Sequence, residues 1–466
     1  MTQITETTAG TAPVSTPPPP ADSATFRSLL SEDWVAFVIG GAIIVAILLI
    51  AAFSPGFVFK APVYQWADAN TLVTKVLAPA NLAILGLIGV IFFALALIAV
   101  ALLGGNPRRF VTGFVIVYIL GIISLILAGN STISYIGLEY VIFGLVTGLL
   151  IGNLGVLPEW LREAARSEFY IKTGLVILGS SVLFTDIVKA GIPGILQSVI
   201  VVSVVWFFAL WIARKLKVDD EFGVILASAV SICGVSAAIA ASGAIKGDKK
   251  KLSYVTTLVL VVALPMMVLQ PWIIKIFHIP EIVGGAWLGG TLDTTASVTA
   301  AAQLVGPAAL KAGVIVKFSQ NVLIGVAALL LAIWWTFRKK AVPAANADGT
   351  LAAAADDEER PNAGVIWERF PKFVLGFIAV SILFSFFIPA TTTKQVGGML
   401  NALRTIWFSL AFVSIGLEAR FTELVKLNGG RPALAFIGAQ VFNILWTLLW
   451  AYLLFNGRFF PIPDLK

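Results

Sequence analysis

Long uncharged apolar runs alternate with short polar breaks along this chain, and most runs approach the length of a helix that crosses a bilayer. About thirteen such segments can be marked, near residues 34–53, 81–104, 111–129, 138–157, 171–188, 192–214, 221–245, 253–277, 282–303, 312–336, 370–389, 404–419 and 432–456. The pattern predicts an all-α polytopic membrane protein with about 11–13 transmembrane helices. Residues 1–33 are rich in Thr, Ala and Pro and read as a disordered tail with no sign of a cleaved signal. Residues 54–80, with Pro55, Pro62 and Trp66, suit an interfacial segment. A first membrane portion (34–336) is followed by a charged, Ala-rich stretch (337–369) that reads as a solvated linker. A second portion (370–456) and a C-terminal tail (457–466) complete the division.

Two apolar segments depart from the pattern in the same way. Ser231–Asp248 reads SICGVSAAIAASGAIKGD, and Gly289–Ala302 reads GGTLDTTASVTAAA. Both replace bulky side chains by glycine, alanine and hydroxyl residues at a depth where lipid offers polar groups no partner. Such segments face protein or an aqueous cavity, so they are the expected substrate site, built from broken helices that cross or re-enter the membrane.

Composition agrees with the pattern. Of 466 residues 59% are hydrophobic and 12% charged, about half the charge of a soluble domain, and the mean hydropathy is +0.95. The net charge of +7 does not imply nucleic acid, because Lys and Arg sit in short clusters between apolar runs, as charges that orient a membrane protein do. Placing Arg108–Arg109, Arg162–Lys172, Arg214–Lys217, Arg338–Lys340 and the 420–431 loop in the cytoplasm puts the N-terminus inside and the C-terminus outside. Lys246, Lys249, Lys250 and Lys251 then fall outside, so either the rule fails there or the seventh segment is re-entrant. One cysteine, Cys233, and one histidine, His278, leave no intramolecular disulfide, no histidine-rich metal centre and a poor basis for a catalytic triad. GxxxxGK[ST], HExxH and GxSxG are all absent, so no cofactor and no enzyme activity is expected.

An internal repeat is visible. Leu178–Gly191 aligns with Ile415–Gly429 through Gly179/Gly416, a shared Phe-Thr pair, Asp186/Glu423 and a shared Val-Lys pair. The two are seven segments apart, which makes them opposite in orientation, as in inverted-repeat secondary transporters. Ser231–Asp248 and Asp293–Gly306 also look alike, yet simple counting gives them the same orientation; re-entry or a permuted order would reconcile them.

The candidate site residues are Ser231, Cys233, Gly234, Ser236, Thr291, Thr294, Thr295, Ser297, Lys317, Gln320 and Asn321 for substrate, with Asp293 for the coupling ion. Gly234 permits a helix break whose new N-terminus attracts an anion; close helix packing is its alternative. Asp293 lies deep in its run, where a carboxylate costs several kcal/mol unless it faces a cavity and carries a proton or cation. Its alternative is a helix N-cap. Lys317, Gln320 and Asn321 share one helix face. Lys317 is read as attracting the anion or neutralising Asp293, with snorkelling to the interface as the rival. Glu418 and Arg420 lie near a span end and read as a structural ion pair or loop charges rather than as ligands.

At these residues the chain resembles the sulfate exporter family of YeiH-like membrane proteins. The motifs are Gly148–Asn153, Gly174–Phe184, Ser231–Ala241, Trp287–Ala302 and Val316–Asn321, within a resemblance covering about residues 82–456. Leu292 stands where many members have histidine, and Gln320 where arginine is usual. More distantly, Lys246–Thr257 is similar to the crossover helix of bile-acid–sodium symporters. The resemblance implies an inverted-repeat transporter with panel and core domains. The resulting expectation is a multi-pass protein of the cell inner membrane that exports sulfate or a related sulfonate or carboxylate by alternating access. Its expected partners are the small anion, the bilayer, a coupling proton or sodium, and a second copy in a homo-oligomer. An anion channel, and less so a membrane-embedded enzyme, are the alternatives.

Overall fold

The computed structural model describes residues 31–54, 57, 59–135, 138–340, 364, 367, 370–419, 430–463 and 465, with 135, 249 and 336–340 by backbone alone. The tail over 1–30, most of the 337–369 linker and the 420–429 part of the repeat lie outside the described residues.

Among the described residues the chain is helical, with a single isolated bridge between Trp66 and Asn130 and no strand. The helices are α1 (Glu32–Phe53), α2 (Pro79–Leu102), α3 (Pro107–Ala128), α4 (Tyr140–Asn153), α5 (Ser167–Leu178), α6 (Phe184–Lys215), α7 (Asp220–Ser228), α8 (Val235–Ile245), α9 (Lys249–Ile276), α10 (Glu281–Thr291), α11 (Thr295–Val305), α12 (Pro307–Lys340), α13 (Phe373–Ile382), α14 (Ala390–Glu418) and α15 (Arg431–Phe455). Proline opens α2, α3 and α12, where its missing N–H costs no hydrogen bond. Eight of these helices are long and apolar enough to cross a membrane; the apolar segments read from the sequence fall on helices, although 171–188 straddles α5 and the start of α6, and 404–419 covers only the second half of α14.

Two packing groups emerge. In one, α14 lies against α3, α4 and α5, and α1 against α5 and α13. In the other, α6 and α10 each lie against α12 and α15. Of the candidate spans, those in α12 and α14 are 67% and 78% buried, against 33–39% for the other six, so these two are the central posts. Glycines let the posts approach their neighbours. A Cβ on Gly148 of α4 would strike the Val413 carbonyl and come within 2.9 Å of the Gly416 Cα in α14. A Cβ on Gly285 of α10 would lie 2.7 Å from the Ala309 Cα in α12.

The two unusual segments are helical hairpins. In the first, α7 runs into a π-helical turn (Ala229–Cys233), reverses at Gly234 (φ 59°, ψ −110°) and returns as α8. Its ends lie together. Lys251, just after α8, pairs with Asp219 at 2.8 Å and Glu221 at 2.9 Å, just before and within the first turn of α7, and the Asp248 N–H donates to Glu221. The second hairpin joins α10 to α11 through Leu292–Thr294, and Gly306 at its end sits against the Glu281 carboxylate at its start.

Each hairpin arm spans roughly 16–21 Å at about 1.5 Å per residue, near half of a bilayer's thickness. The 28-residue α9 separates the hairpins, so they enter from opposite faces and meet at their tips. A Cβ on Gly234 would lie 2.9 Å from the Asp293 Cβ. Re-entry also settles the charge pattern: Lys246–Lys251 return to the side of Arg214–Lys217, and the positive clusters no longer conflict.

Two outcomes follow from this geometry. In a Cys233→Ala background within oriented vesicles, an impermeant maleimide should label Lys217→Cys and Lys246→Cys from one side and His278→Cys from the other. Labelling of Lys217→Cys and Lys246→Cys from opposite sides would exclude the hairpin. Gly234→Ala forces a side chain into a backbone region reserved for glycine, at about 1–3 kcal/mol, and drives its Cβ to 2.6 Å from Val259 Cγ1. Thermal unfolding in detergent should therefore fall by several degrees for Gly234→Ala and stay level for Gly41→Ala, whose Cβ meets nothing within 4 Å.

Candidate functional site

A helix broken at membrane depth leaves carbonyls at one cut end and amides at the other, and hydrocarbon satisfies neither. At the two tips these ends have different fates. The carbonyl ends of α7 and α10 are closed by side chains from α12 and α15. Lys317 Nζ donates to Ile232 O, Leu292 O and Gln320 Oε1, each at 2.8 Å. Gln320 Nε2 donates to Ser231 O at 3.0 Å and Gly290 O at 3.3 Å. Gln440 and Asn443 of α15 donate to Thr291 O at 2.9 Å and Val230 O at 3.2 Å.

The amide ends of α8 and α11 point the other way, into a cavity of about 830 Å³. Cys233, Ser236, Thr294, Thr295, Ser297 and Asn321 line it. Thr294 accepts from the Ser297 N–H at 3.0 Å, and its hydroxyl meets the Ser297 hydroxyl at 2.8 Å. Asn321 Nδ2 donates to Thr295 Oγ1 at 3.3 Å. The N-cap of α8 is Gly234, which has no side chain to offer its first-turn amides.

The facing wall comes from the other packing group and is charged. Lys172 of α5 lies 2.9 Å from Glu32, 3.0 Å from Asp33 and 3.8 Å from Glu168. Glu418, at the end of α14, accepts from the Ser167 N–H at 3.1 Å and its hydroxyl at 2.7 Å, closing the start of α5. Asp33, Glu168, Lys172, Lys372 and Glu418 give this wall charges of both signs, while the hairpin tips present donors. Among the described residues no group of three His, Cys, Asp or Glu side chains is arranged to hold a metal.

The residues singled out from sequence thus divide. Cys233, Ser236, Thr294, Thr295, Ser297 and Asn321 share the cavity. Gly234 forms the break, and its close-packing alternative holds as well, because the same glycine admits the opposite tip. Ser231, Thr291, Lys317 and Gln320 lie behind the tips, away from the cavity lining. Thr291 bonds Trp287 O at 2.8 Å and accepts from Gln270 at 3.0 Å. Lys317 is 0% exposed, which excludes snorkelling. The N-cap of α11 is Thr294, so Asp293 does not cap it. Asp293 is 2% exposed, and its Oδ2 has no hydrogen-bond partner among the described residues.

Glu418 does have a structural role, although its partner is Ser167; Arg420 lies outside the described residues. Gln440 and Asn443 escaped the sequence reading. Their signal is two amides at i, i+3 inside an apolar run, the spacing of one helix face. The Lys172 cluster also escaped it, because its members come from two distant helix starts.

Comparison with known proteins gives the family. The model described as "Conserved hypothetical protein 698" matches residues 112–435. A UPF0324 membrane protein of Rhodopirellula baltica is 38% identical over 80% of this chain and 68% of its own length. One from Nitratidesulfovibrio vulgaris is 35% identical over 78% of this chain, which spans 62% of that relative. A third, from Nitrosomonas europaea, is 28% identical over 70% of each. These names carry neither sulfate export nor bile-acid symport, and no solved structure matches the chain. With the model covering more than half of the chain and its motif-bearing hairpins inside the match, this multi-pass membrane protein belongs to the UPF0324 family.

Proposed function

We propose that this protein is a secondary transporter of a small anion in the cell inner membrane, exporting sulfate or a related sulfonate or carboxylate by alternating access, without a cofactor and without enzyme activity. One observation carries the reading: two half-helix N-termini converge on one cavity, while the matching C-termini are already closed by fixed donors. Each N-terminus contributes about half a positive charge, and the first-turn amides lie at the cavity edge, that of Ser297 capped by Thr294. Together they suit a compact anion bearing several oxygens, with the Ser236 and Thr294 hydroxyls adding donors.

Alternating access is supported by the two packing groups that meet across the cavity, and by hairpins that enter from opposite faces, as the halves of an inverted repeat would. The matched repeat glycines also behave alike. A Cβ on Gly179 would lie 2.5 Å from Phe377 O in α13, and Gly416 meets Gly148 of α4. Asp293, buried at the tip with an oxygen to spare, is the coupling carboxylate in this reading. With Lys246–Lys251 and the Arg162–Lys172 group on the cytoplasmic side, the charged wall of the cavity faces the cytoplasm.

Purified protein should be stabilised in thermal unfolding by sulfate, a small sulfonate or a dicarboxylate over chloride at constant ionic strength. Ser236→Ala removes a hydroxyl donor worth about 1.5–3 kcal/mol to a charged partner, so its apparent affinity should fall roughly tenfold or more. No stabilisation of the wild type by any of these anions would sink the assignment. In proteoliposomes, preloaded anion should drive uphill uptake of labelled anion; saturation-free flux without such counterflow would instead identify a channel. Asp293→Asn should keep anion binding while losing the response of transport to an imposed pH gradient.

A further inference from the structure

The environment of Lys317 is that of a bound ion. Its ammonium meets three oxygens at 2.8 Å: one carbonyl from each hairpin tip and the Gln320 side chain. Three N–H groups meet three acceptors, and a neutral amine, with only two, would leave one unpaired. The carbonyls belong to the C-terminal ends of α7 with its π turn and of α10, so two helix dipoles place negative potential on this point. Asp293 follows directly after the Leu292 carbonyl that Lys317 holds, and its Oδ2 and the Ser231 hydroxyl are buried oxygens without hydrogen-bond partners among the described residues. Carbonyls of unwound helix ends beside a buried carboxylate are the ligand set with which transporters of broken-helix design hold a monovalent coupling cation. Here that position is filled by a covalently attached ammonium, 0% exposed and reaching from the central post α12.

We propose that Lys317 is a tethered cation that takes the place of a soluble sodium ion at the hairpin junction, clamping both tips to α12. The clamp keeps the α8 and α11 amides aimed at the cavity with no alkali cation bound, and coupling by sodium at this junction is thereby excluded. The inference concerns the carbonyl side of the tips, so it stands or falls separately from the anion assignment on the amide side.

Stability in detergent, read without any substrate anion, tests it. At constant ionic strength the wild type should unfold at the same temperature in sodium, potassium, ammonium and choline chloride. Lys317→Ala empties the position and should unfold at least about 5 °C lower in choline. Methylammonium, ammonium or sodium should restore part of that loss saturably, since each supplies the missing charge to the same oxygens. Lys317→Met fills the space with an apolar chain and should show no cation response, which separates occupancy of the site from a general salt effect. If Lys317→Ala cannot be purified in choline, extraction in methylammonium chloride replaces the comparison, and monodisperse protein should be recovered only there. Sodium-specific stabilisation of the wild type, or indifference of Lys317→Ala to every small cation in both formats, would overturn the proposal.

Discussion

Everything in this fold depends on satisfying backbone carbonyls at two helix breaks in the middle of an apolar structure. An unpaired carbonyl in apolar surroundings costs several kcal/mol. Lys317, Gln320, Gln440 and Asn443 supply the donors, from two helices that pack on the hairpins. Their burial would be expensive in any other setting, since each is a polar side chain held away from solvent. Placed against cut helix ends, the donors and the orphaned carbonyls resolve each other's cost.

This arrangement makes the two faces of the hairpin junction unlike. The carbonyl face is occupied by fixed donors from α12 and α15. The amide face carries short hydroxyl and thiol side chains, Asn321 and, on α8, a glycine cap, so its positive potential is directed at an open volume. Small residues serve both faces. They bring the tips into contact, and they let α10 lie almost backbone to backbone on α12, which holds the donors in register with the carbonyls they serve.

The second packing group supplies a wall of different character. Lys172 gathers carboxylates from the starts of α1 and α5, and Glu418 ties the end of α14 to the start of α5. These contacts secure helix ends, and they place charged groups of both signs across the cavity from the amide face. Between these walls lies the cavity.

Class, element type and the two exceptional stretches were legible in the chain alone. Runs of near-bilayer length, little charge and a cluster of glycine, alanine and hydroxyl residues at membrane depth each have one physical interpretation. Re-entry was legible only as conflicts, over Lys246–Lys251 and over the orientation of the two similar stretches, because a hairpin and a crossing of equal length have the same hydropathy. The ion pairs from Lys251 back to Asp219 and Glu221 resolved it.

The division of labour among the polar residues was decided wholly by tertiary structure. Lys317, Gln320 and Asn321 share a helix face, yet the first two seal carbonyls while Asn321 reaches the cavity. Their partners on the hairpins lie 25 to 89 positions away in the chain, and the hairpin partners of Gln440 and Asn443 lie 149 and 213 positions away. Sequence determined that polar groups were buried in apolar helices. Only the meeting of the two tips determined which backbone ends they would face, because a helix's own periodicity carries no information about a break elsewhere in the chain.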